Sequence, residues 1–342
     1  MMLFRRAHDA DLDQIFLLAK ESGIGMTTLP KNKTLLAQRL HWSTLSYQKN
    51  PVQAGNEYYF FVLEDTESKM IVGTSAIEAA TGLRAPFYSY KVSNHTRVCP
   101  SLHLHNTHET LYLVNDNEGC SELCTLFLKP QYRKNHNGLL LSKARFLFMA
   151  HAPKRFSSKV IAELRGTSDE QGRSPFWEHV GAHFFHMPFE KADELTLLTD
   201  KQFIADLMPK HPLYISLLPQ EAQQTIGIPH ASAMPAMTIL LKEGFRYNHY
   251  IDIFDAGPTI EAPIEHIQSI TQSMLVTVSG IDNHKKSPIH YLISNDAIDF
   301  RATIAPLSLD KEQQACILNQ DTATALQVSP GDTIRIRSLA PN

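Results

Sequence analysis

The sequence predicts a mixed α/β fold, in which a mixed sheet is flanked by helices and a small β-rich region follows at the C-terminus. Antiparallel hairpin patterns occur early in the chain, a strand–loop–helix–strand unit lies in the middle, and short strand patterns separated by polar turns run from Ile270 onward. The 342 residues are too many for one small core. We therefore divide the chain into residues 1–200, 201–265 and 266–342.

Hydrophobic periodicity predicts the elements of the N-terminal part. Asp9–Glu21 is predicted to be a helix because Leu12, Ile15, Phe16 and Ala19 share one of its faces. The other elements predicted before residue 120 are the strands Leu3–Ala7, Tyr58–Glu64, Met70–Ala79, Tyr88–Val98 and Thr110–Val114 and the helix Lys33–Tyr47. A loop at Gly23–Pro30 holds two glycines and is free to approach a ligand closely.

The middle of the chain has the clearest pattern. Ser121–Leu128 reads as a strand, Lys129–Gly138 as a loop and Leu139–Met149 as a helix with an apolar face. Lys159–Arg165 is the next strand and Ser174–Val180 a short helix. This order predicts a strand–loop–helix unit whose loop lies at a helix N-terminus.

The second half is predicted from weaker signals. Met234–Glu243 reads as a helix and Tyr250–Phe254 as a strand. The short strands predicted after residue 270 are Leu275–Val278, Tyr291–Ile293, Arg301–Ile304 and Thr333–Arg337. Residues 174–185 and 237–247 each show a helix pattern, a glycine and then aromatics, which suggests two related halves.

Composition and charge exclude several classes of function. The net charge of -3 gives no basic surface for nucleic acid. No apolar run of about 18 residues exists to span a membrane, and the N-terminus lacks the apolar core of a signal peptide, so we expect a cytoplasmic protein. The four cysteines and the cluster His103, His105 and His108 match no zinc spacing, so we expect reduced thiols and no metal.

The loop after Ser121–Leu128 has the chemistry of an anion site. It carries Arg133 and Lys134 and ends in Asn137-Gly138 at the predicted helix start. Free N–H groups at a helix N-terminus, a glycine that permits close approach and neighbouring cations together favour a phosphate. Neither the G-x-x-x-x-G-K-[ST] nor the G-x-G-x-x-G pattern is present, so a nucleoside triphosphatase or a Rossmann dehydrogenase is not indicated.

This unit resembles the pyrophosphate-binding motif of GNAT-superfamily acyltransferases, although Leu140 stands where a second glycine or alanine is usual. Seven blocks extend the resemblance, in order along the chain, to the arginine N-succinyltransferase family. They are Ser121–Leu128, Asn137–Lys143, Ala162–Gly166, Ser174–Trp177, Ile204–Pro212, Lys242–Tyr247 and Tyr250–Thr259. The similarity is specific up to about residue 265 and loose beyond it, which implies a GNAT-like fold for the first part.

The resemblance implies a reaction between succinyl-CoA and L-arginine that gives N2-succinyl-L-arginine and CoA, the entry step of arginine catabolism. It implies that Leu126 contacts succinyl-CoA and that His230 donates a proton; Pro229 and Ala231 beside it depart from the family pattern. A histidine titrating near neutrality suits such a step. His211 and His136 are the competing candidates.

The acyl-CoA site predicted from this unit is made of Leu126, Phe127, Arg133, Lys134, Asn137 and Gly138. For the substrate guanidinium, Glu163, Asp252 and Asp255 are candidate carboxylates, since a carboxylate can pair with it through two bonds. The alternative is that Glu163 and Asp252 pair with Arg165 and Arg246. For the succinyl carboxylate, Arg84, Lys143 and Arg145 are candidates.

Two other functions stay open at this point. One is a related acyltransferase that uses ornithine or another acyl-CoA, and the other is a non-catalytic sensor of CoA or arginine. The family suggests an assembly of identical chains, and a homodimer is the commonest closed form. No partner among nucleic acids or membranes is expected.

Overall fold

A computed structural model describes residues 1–23, 26–169, 171–198, 201–284 and 289–339. Its strands are β1 Met2–Arg6, β2 Tyr58–Asp65, β3 Met70–Glu78, β4 Ser89–Cys99, β5 Leu104–Val114, β6 Ser121–Leu128, β7 Lys159–Glu163, β8 Leu213–Tyr214, β9 Arg246–Ile251, β10 Pro258–Pro263, β11 Met274–Ile281, β12 His290–Asn295, β13 Arg301–Pro306, β14 Ser308–Asp310, β15 Ala315–Leu318 and β16 Thr333–Ser338.

The helices are α1 Leu12–Glu21, α2 Lys33–Gln48, α3 Asn137–His151, α4 Pro175–His179, α5 Gly181–Phe185, α6 Phe189–Leu198, α7 Gln202–Leu207, α8 Gln220–Gln223, α9 Met234–Lys242, α10 Gln268–Thr271 and α11 Gln320–Leu326. Single 3-10 turns occur at Asp9–Asp11, Pro100–Leu102, Pro130–Tyr132, Pro153–Arg155, Ile215–Leu217 and Ile264–His266.

The strands of the described chain form one mixed sheet. Its order is β14-β15-β11-β16-β12-β13-β1-β2-β3-β6-β7-β10-β9-β4-β5-β8. β6 and β7 run parallel, as do β11 and β15, and antiparallel pairs make up the rest of the described ladders. The helices pack on the faces of this sheet, so the predicted mixed α/β class with flanking helices is confirmed.

The sheet is buried on both faces at its centre, and β2 shows why. Tyr59, Phe61 and Leu63 belong to the apolar cluster on the α3 side, whereas Tyr58 and Phe60 belong to the cluster under α1 and α2. Successive side chains of a strand point to opposite faces, so a strand covered on both sides needs an unbroken apolar run. The run Tyr58–Leu63 satisfies that need.

The C-terminal β-rich region is continuous with this sheet. β13 pairs with β1, with Phe4 opposite Ala302. Phe300 is fully buried and packs edge-on against Phe148, with ring centroids 5.3 Å apart. The region also has an apolar cluster of its own, which includes Val278, Ile293 and Leu318. It therefore extends the sheet and contributes to the central core.

β4 and β5 form a long ribbon at the other end of the sheet. They pair along their whole length, from Ser89 opposite Val114 to Cys99 opposite Leu104. Within the described residues, β9 pairs with β4 near Tyr90 and β8 pairs with β5 near Leu111. The distal part of the ribbon lies beyond these neighbours, and Val98 and Leu102 at its tip are 64% and 65% exposed.

Most predicted elements agree with the structure within a few residues, and three differ. The strand predicted at Tyr250–Phe254 instead occupies Arg246–Ile251, because Oδ1 of Asp252 accepts the backbone N–H groups of Phe254 and Asp255 and turns the chain there. β5 begins six residues before the predicted Thr110, because it pairs with β4 along its full length. The helix predicted from Leu139 begins at Asn137.

The two segments that look alike in sequence have different structures. Gly181 begins a second short helix, α5, whereas Gly244 ends a helix and the strand β9 follows it. Gly244 has a φ of 104°, which favours glycine at a helix end. The sequence similarity therefore does not reflect a repeated structural unit.

Across the described ranges, none of the helices combines the length and the apolar composition needed to cross a bilayer.

Candidate active site

β6 and β7 separate at the centre of the sheet. They pair at Ser121 with Val160 and at Glu122 with Ile161, and these are the described pairs between them. Beyond that point a cavity of about 420 Å³ lies between the strands. Both strands line it, with Leu126 and Phe127 on one side and Glu163 on the other. A cleft between two diverging parallel strands exposes backbone groups to a ligand.

A β-bulge in β6 shapes this wall. Cys124 pairs with Ala76 and Phe127 with Thr74, so Thr125 and Leu126 share one partner position on β3. Thr125 has a φ of 59°, an unusual value for a β-branched residue. Its hydroxyl lies 2.9 Å from the Tyr58 hydroxyl, and its carbonyl accepts a bond from Thr74. Leu126 is consequently half-buried within an otherwise buried strand.

The predicted glycine loop at Gly23–Pro30 lies against the bulge. The hydroxyl of Thr28 accepts the backbone N–H of Thr125 at 3.1 Å. Gly23, Met26, Thr27 and Thr28 line the cavity, as expected for a loop that approaches a ligand. Ile24 and Gly25 lie outside the described residues.

The predicted pyrophosphate loop divides into two parts. Arg133 lines the cavity, and its Nε donates to the carbonyl of Leu128 at 3.1 Å. Lys134 is exposed outside the cavity lining, and Asn137 is buried because its side-chain amide donates to the Tyr132 carbonyl. No described side chain caps the N-terminus of α3, and the backbone N–H of its first residue, Asn137, donates to the Lys134 carbonyl at 3.0 Å. Gly138 has open space where a Cβ would lie.

His230 reaches the cavity through contacts with the end of β7. Its backbone N–H donates to the carbonyl of Arg165 at 2.8 Å, and Pro229 forms a bridge with Gly166. Gly227, with a φ of 71°, donates to the carbonyl of Ala256. These bonds hold the segment before α9 beside β7, and so His230 faces the same cavity as Leu126.

Ser232 determines which ring nitrogen of His230 is available. The backbone N–H of Ser232 donates to Nδ1 at 3.1 Å, and its hydroxyl lies 2.7 Å from the same atom. Nε2 is therefore the nitrogen left to exchange a proton with a ligand. Partial burial and the nearby Arg165 guanidinium lower the pKa of His230, which favours the neutral ring near neutral pH.

Six carboxylates line the cavity. Glu21 pairs with Lys129 at 2.9 Å, and the other five are Glu122, Glu163, Asp193, Asp252 and Asp255. Burial raises the pKa of Glu122 to about 7, with a further contribution from Glu78, which lies opposite it on β3. Burial and Asp252 raise the pKa of Glu163, and burial, Asp252 and Asp255 raise that of Asp193. Burial is the largest cause in each case, and the nearby Lys201 ammonium opposes the rise in the pKa of Glu122, Glu163 and Asp193.

Asp252 and Asp255 lie close enough to affect each other's pKa, and Asp255 also accepts bonds from two backbone N–H groups. Burial and the neighbouring Asp252 raise the pKa of Asp255 to about 8. Oδ2 of Asp255 accepts the N–H of Gly166 at 2.7 Å, and Oδ1 accepts that of Gly257 at 2.9 Å. A Cβ on Gly166 would lie 2.2 Å from the carbonyl oxygen of Asp255. Asp255 thus joins its loop to the segment after β7, at the same glycine that forms the bridge with Pro229.

The candidate ion pairs with arginine do not form. Neither Glu163 nor Asp252 lies within ion-pair distance of Arg165 or Arg246 among the described side chains. The Thr259 hydroxyl is 3.5 Å from Oε1 of Glu163. These arginines therefore do not use either carboxylate, and Oδ1 of Asp252 instead accepts the backbone N–H groups of Phe254 and Asp255.

Of the three candidate cations for an acyl carboxylate, one lies at the cavity. Arg145 lines it. Lys143 pairs with Glu243 at 2.7 Å, and the Arg84 guanidinium stacks 4.4 Å from the ring centroid of Trp42. Lys143 and Arg84 therefore have other partners.

The structure brings together six of the nine predicted site residues. Leu126, Phe127, Arg133, Glu163, Asp252 and His230 line one cavity, whereas Lys134, Asn137 and Gly138 lie outside its lining. Sequence reasoning missed Glu122, Asp193 and Ser232, and it considered Arg165 only as a partner of Glu163. Glu122 is adjacent to residues that were assigned, but nothing in the pattern around Asp193 marks it.

The other histidines and the cysteines do not form a site. His136 and His211, the competitors of His230, are exposed and do not line the cavity. The described residues contain no group of three His, Cys, Asp or Glu side chains that could hold a metal ion. Cys99, Cys120, Cys124 and Cys316 are free thiols.

Comparison with known proteins gives consistent matches along the whole chain. The family model described as arginine N-succinyltransferase beta subunit matches residues 2–269, and that of its C-terminal domain matches residues 274–337. The similarity therefore continues beyond residue 265.

Individual relatives agree with these matches. An arginine N-succinyltransferase from Yersinia pseudotuberculosis serotype O:3 is 45% identical over 99% of this chain and 98% of its own length. One from Escherichia coli strain 55989 is 42% identical over 98% of this chain and 97% of its own length. A solved structure of arginine/ornithine succinyltransferase subunit AI from Pseudomonas aeruginosa superimposes with a TM-score of 0.91 at 36% identity, covering 100% of this chain and 99% of that one.

Proposed function

The chain belongs to the arginine N-succinyltransferase family and is an acyltransferase, and from that premise we propose that it transfers the succinyl group of succinyl-CoA to the α-amino group of L-arginine. The products are N2-succinyl-L-arginine and CoA. One observation carries the proposal at the level of the site: a single cavity holds the diverging strand β6, His230 and six carboxylates. The strand can bind a thioester, His230 can transfer a proton, and the carboxylates can bind the guanidinium of arginine.

The strand β6 and the start of α3 are the proposed site for the CoA part of the donor. Leu126 and Phe127 lie along the cleft, where the bulge interrupts regular pairing with β3. We assign the phosphates to Arg133, Lys134 and the start of α3 at Asn137 and Gly138, because helix N-termini and arginine both favour phosphate. A coenzyme A molecule is long enough to pass from the cavity to the surface.

His230 is the proposed proton donor. The neutral amine of arginine attacks the thioester carbonyl carbon, a C–N bond forms and the C–S bond breaks. The amine loses one proton and the thiolate gains one, so the histidine ring is unchanged over a complete turnover. The availability of Nε2 supports this role, since Ser232 occupies Nδ1.

The carboxylates are the proposed site for the arginine cation, with Glu163 and Asp252 as the direct contacts. Their raised pKa values favour this assignment, because a guanidinium in the cavity supplies the positive charge that stabilises the ionised forms. Asp255 holds the loop in place through two backbone N–H groups. Its Oδ atoms are used within the chain, which makes it the weaker candidate for a direct contact.

The decisive experiment measures release of free thiol by the purified chain. Succinyl-CoA is tested with arginine, ornithine and lysine, and arginine is tested with succinyl-CoA and acetyl-CoA. We expect the highest kcat/KM for succinyl-CoA with arginine. Release of no thiol with any of the three amino acids would contradict the proposal, and a preference for acetyl-CoA would indicate a different acyl donor.

Ornithine is the second candidate acceptor, because the Pseudomonas aeruginosa relative is described as an arginine/ornithine succinyltransferase subunit. Ornithine carries a point charge where arginine carries a planar fork. The same panel separates them, since a ratio of kcat/KM near one would indicate a dual acceptor. A non-catalytic sensor would bind arginine or CoA and release no thiol.

We also propose that the chain forms a homo-oligomer, with a dimer as the simplest closed form. That relative is described as a subunit, and the tip of the β4–β5 ribbon exposes Val98 and Leu102. Light scattering coupled to size-exclusion chromatography is expected to give a multiple of the chain mass. The predicted cytoplasmic location stays a prediction.

A further inference from the structure

Arg145 is a buried guanidinium in the wall of the active-site cavity. It lies on the inner face of α3 and is 1% exposed. Its Nε donates to the Ser142 carbonyl at 3.1 Å, Nη1 lies 3.5 Å from the Ala76 carbonyl, and Nη2 lies 3.3 Å from the Ser142 hydroxyl. All three partners are neutral, and two of the three contacts are long.

Each Arg145 nitrogen has one described hydrogen-bond partner, but the positive charge has no described counter-charge. A guanidinium has five N–H donors, and the three described bonds use three of them. No described carboxylate lies within ion-pair distance of Arg145. The neighbouring Cys124 does not supply a charge, because burial raises the pKa of its thiol and keeps it neutral. Burial lowers the pKa of Arg145 itself to about 10, so the side chain is still a cation near neutral pH.

An uncompensated buried cation is costly for folding. Two other arginines of this chain lie beside carboxylates that balance their charge. Arg5 pairs with both Asp11 and Glu64, and Arg165 is close to the carboxylates of Asp193 and Asp255. Arg145 differs because it is buried, faces a cavity and has neutral partners only. Such an arrangement is expected where a ligand brings the missing anion.

The position of Arg145 matches one end of the donor. Ala76, which faces its Nη1, pairs with Cys124 on β6. Cys124 precedes Leu126 by two residues, about 7 Å along a strand. Arg145, Cys124 and Leu126 line the same cavity, so the guanidinium and the proposed thioester position face one enclosed space.

We propose that Arg145 binds the distal carboxylate of the acyl group and thereby selects a dicarboxylic acyl donor over a monocarboxylic one. This inference rests on the proposed function, because it assumes an acyl-CoA in the cleft. Under this assignment the carboxylates of the cavity bind the cationic acceptor, and Arg145 binds the anionic end of the donor. Arg133 is exposed at the mouth and takes the phosphates, which every acyl-CoA carries.

The test compares two donors that differ at one end. Succinyl-CoA and butyryl-CoA both carry a four-carbon acyl chain, but only the first has the distal carboxylate. Binding constants are measured by calorimetry without an acceptor, and kcat/KM is measured with saturating arginine. The wild-type chain is expected to prefer succinyl-CoA. In Arg145→Met we expect the affinity for succinyl-CoA to fall by roughly 100-fold, as for other truncated buried charge pairs, with little change for butyryl-CoA.

Arg155→Met is the matched control. Arg155 is also buried and also bonds only to neutral groups, the Ser46 and Lys49 carbonyls and the Tyr59 hydroxyl, but it does not line the cavity. Its replacement is expected to lower stability and to leave the ratio of the two affinities unchanged. Arg145→Gln, which keeps hydrogen-bonding ability, serves if the methionine variant does not fold, and it is expected to lose the preference as well.

The outcomes separate the two proposals. An unchanged preference for succinyl-CoA in Arg145→Met or Arg145→Gln would overturn the inference, as would equal losses for both donors, which a purely structural arginine would produce. A wild-type chain that binds both donors equally would also overturn it. If the wild-type chain binds succinyl-CoA selectively, Arg145→Met loses that selectivity and neither turns over with arginine, the proposed acceptor is wrong and the role of Arg145 is supported.

Discussion

At the scale of single residues, the cavity brings together ionisable side chains whose charged forms are disfavoured by burial. Burial raises the pKa of Glu122 and Glu163, and it lowers that of Arg145. His230 is the mildest case, since it is only partly buried and its pKa is lowered by burial and by Arg165. Ligands of opposite charge relieve the unfavourable burial of these groups, which favours binding of the ionic substrates.

Replacing His230 tests the proton-transfer step. His230→Ala is expected to lower kcat by about 100- to 10,000-fold, the usual contribution of a positioned acid–base group. The affinity for succinyl-CoA should change little, because His230 is proposed to act on the reacting atoms and is not among the residues assigned to the CoA part of the donor. Stopped assays of thiol release and calorimetry measure the two quantities. His211→Ala, which alters an exposed histidine outside the cavity lining, is the control and should retain full activity.

Replacing Glu122 tests the cost of its burial. Its pKa is raised from 4.5 to about 7, so the folded state binds more protons than the unfolded state in that range. The stability contributed by the protonated form is fully present below about pH 4.5 and is lost as the pH rises to about 7. Glu122→Gln should therefore be more stable than the wild type at pH 8, by about 1–3 kcal/mol.

Urea denaturation at pH 4.5 and pH 8 measures that difference, which should nearly vanish at the lower pH because both chains are then neutral at position 122. Glu312→Gln alters an exposed carboxylate and should behave as the wild type at both values. A variant that is less stable at pH 8 would mean that the ionised carboxylate of Glu122 is stabilised in the free protein.

At the scale of elements, the bulge in β6 connects the sheet to the chemistry. Thr125 holds a left-handed backbone conformation that a β-branched residue adopts only under constraint. Tyr58 on β2 and Thr28 in the first loop bond to it, so three parts of the chain determine one backbone angle. The consequence is that Leu126 faces the cleft while both of its neighbours are buried.

Removing the Thr125 hydroxyl should loosen this element. Thr125→Val keeps the size and branching but loses the bonds to Tyr58 and to the Thr28 carbonyl, and we expect a loss of about 1–3 kcal/mol in the free energy of unfolding together with weaker succinyl-CoA binding. Tyr58→Phe removes the same bond from the other side. In a double-mutant cycle the two losses should be less than additive, and simple additivity would show that the bond contributes nothing.

At the scale of the whole molecule, the C-terminal region and the first strand make the sheet continuous. β1 has β2 on one side and β13 on the other. The side chains of Phe4, Phe61, Phe148 and Phe300 meet where these strands and α3 pack. Residues almost 300 positions apart therefore share one apolar cluster, and the division of the chain at residues 200 and 265 stays a prediction.

Truncating Phe300 tests this coupling. Phe300→Ala should lower the free energy of unfolding by about 3–5 kcal/mol, as for other buried phenylalanines. Because its neighbours lie in the N-terminal part, we expect one cooperative transition that shifts as a whole, seen by circular dichroism and by aromatic fluorescence at the same denaturant concentration. Leu275→Ala, in the same region but 42% exposed, is the milder control. A separate early transition would indicate that the C-terminal region unfolds alone.

By itself, the sequence determined the local units and the family. The unbroken run at Tyr58–Leu63 and the strand–loop–helix at 121–149 were legible because hydrophobic periodicity records burial on each face. The family followed from long blocks of matching residues, and with it the assignment of His230. In contrast, the strand after Tyr250 was misplaced, because the turn at Asp252 depends on a side chain accepting two backbone N–H groups.

Only the tertiary structure decided which charges meet. Asp193 on α6, Glu163 on β7 and Asp252 after β9 converge on the cavity, and Arg145 faces it without a described anionic partner. These residues are far apart along the chain, and their side chains meet because β7 lies between β6 and β10 in the sheet. Periodicity reports which face of an element is buried and carries no information on what lies opposite that face. The sequence had offered Glu163 and Arg145 among several candidates, and the packing selected Arg145 over Lys143 and Arg84 as the cation at the cavity.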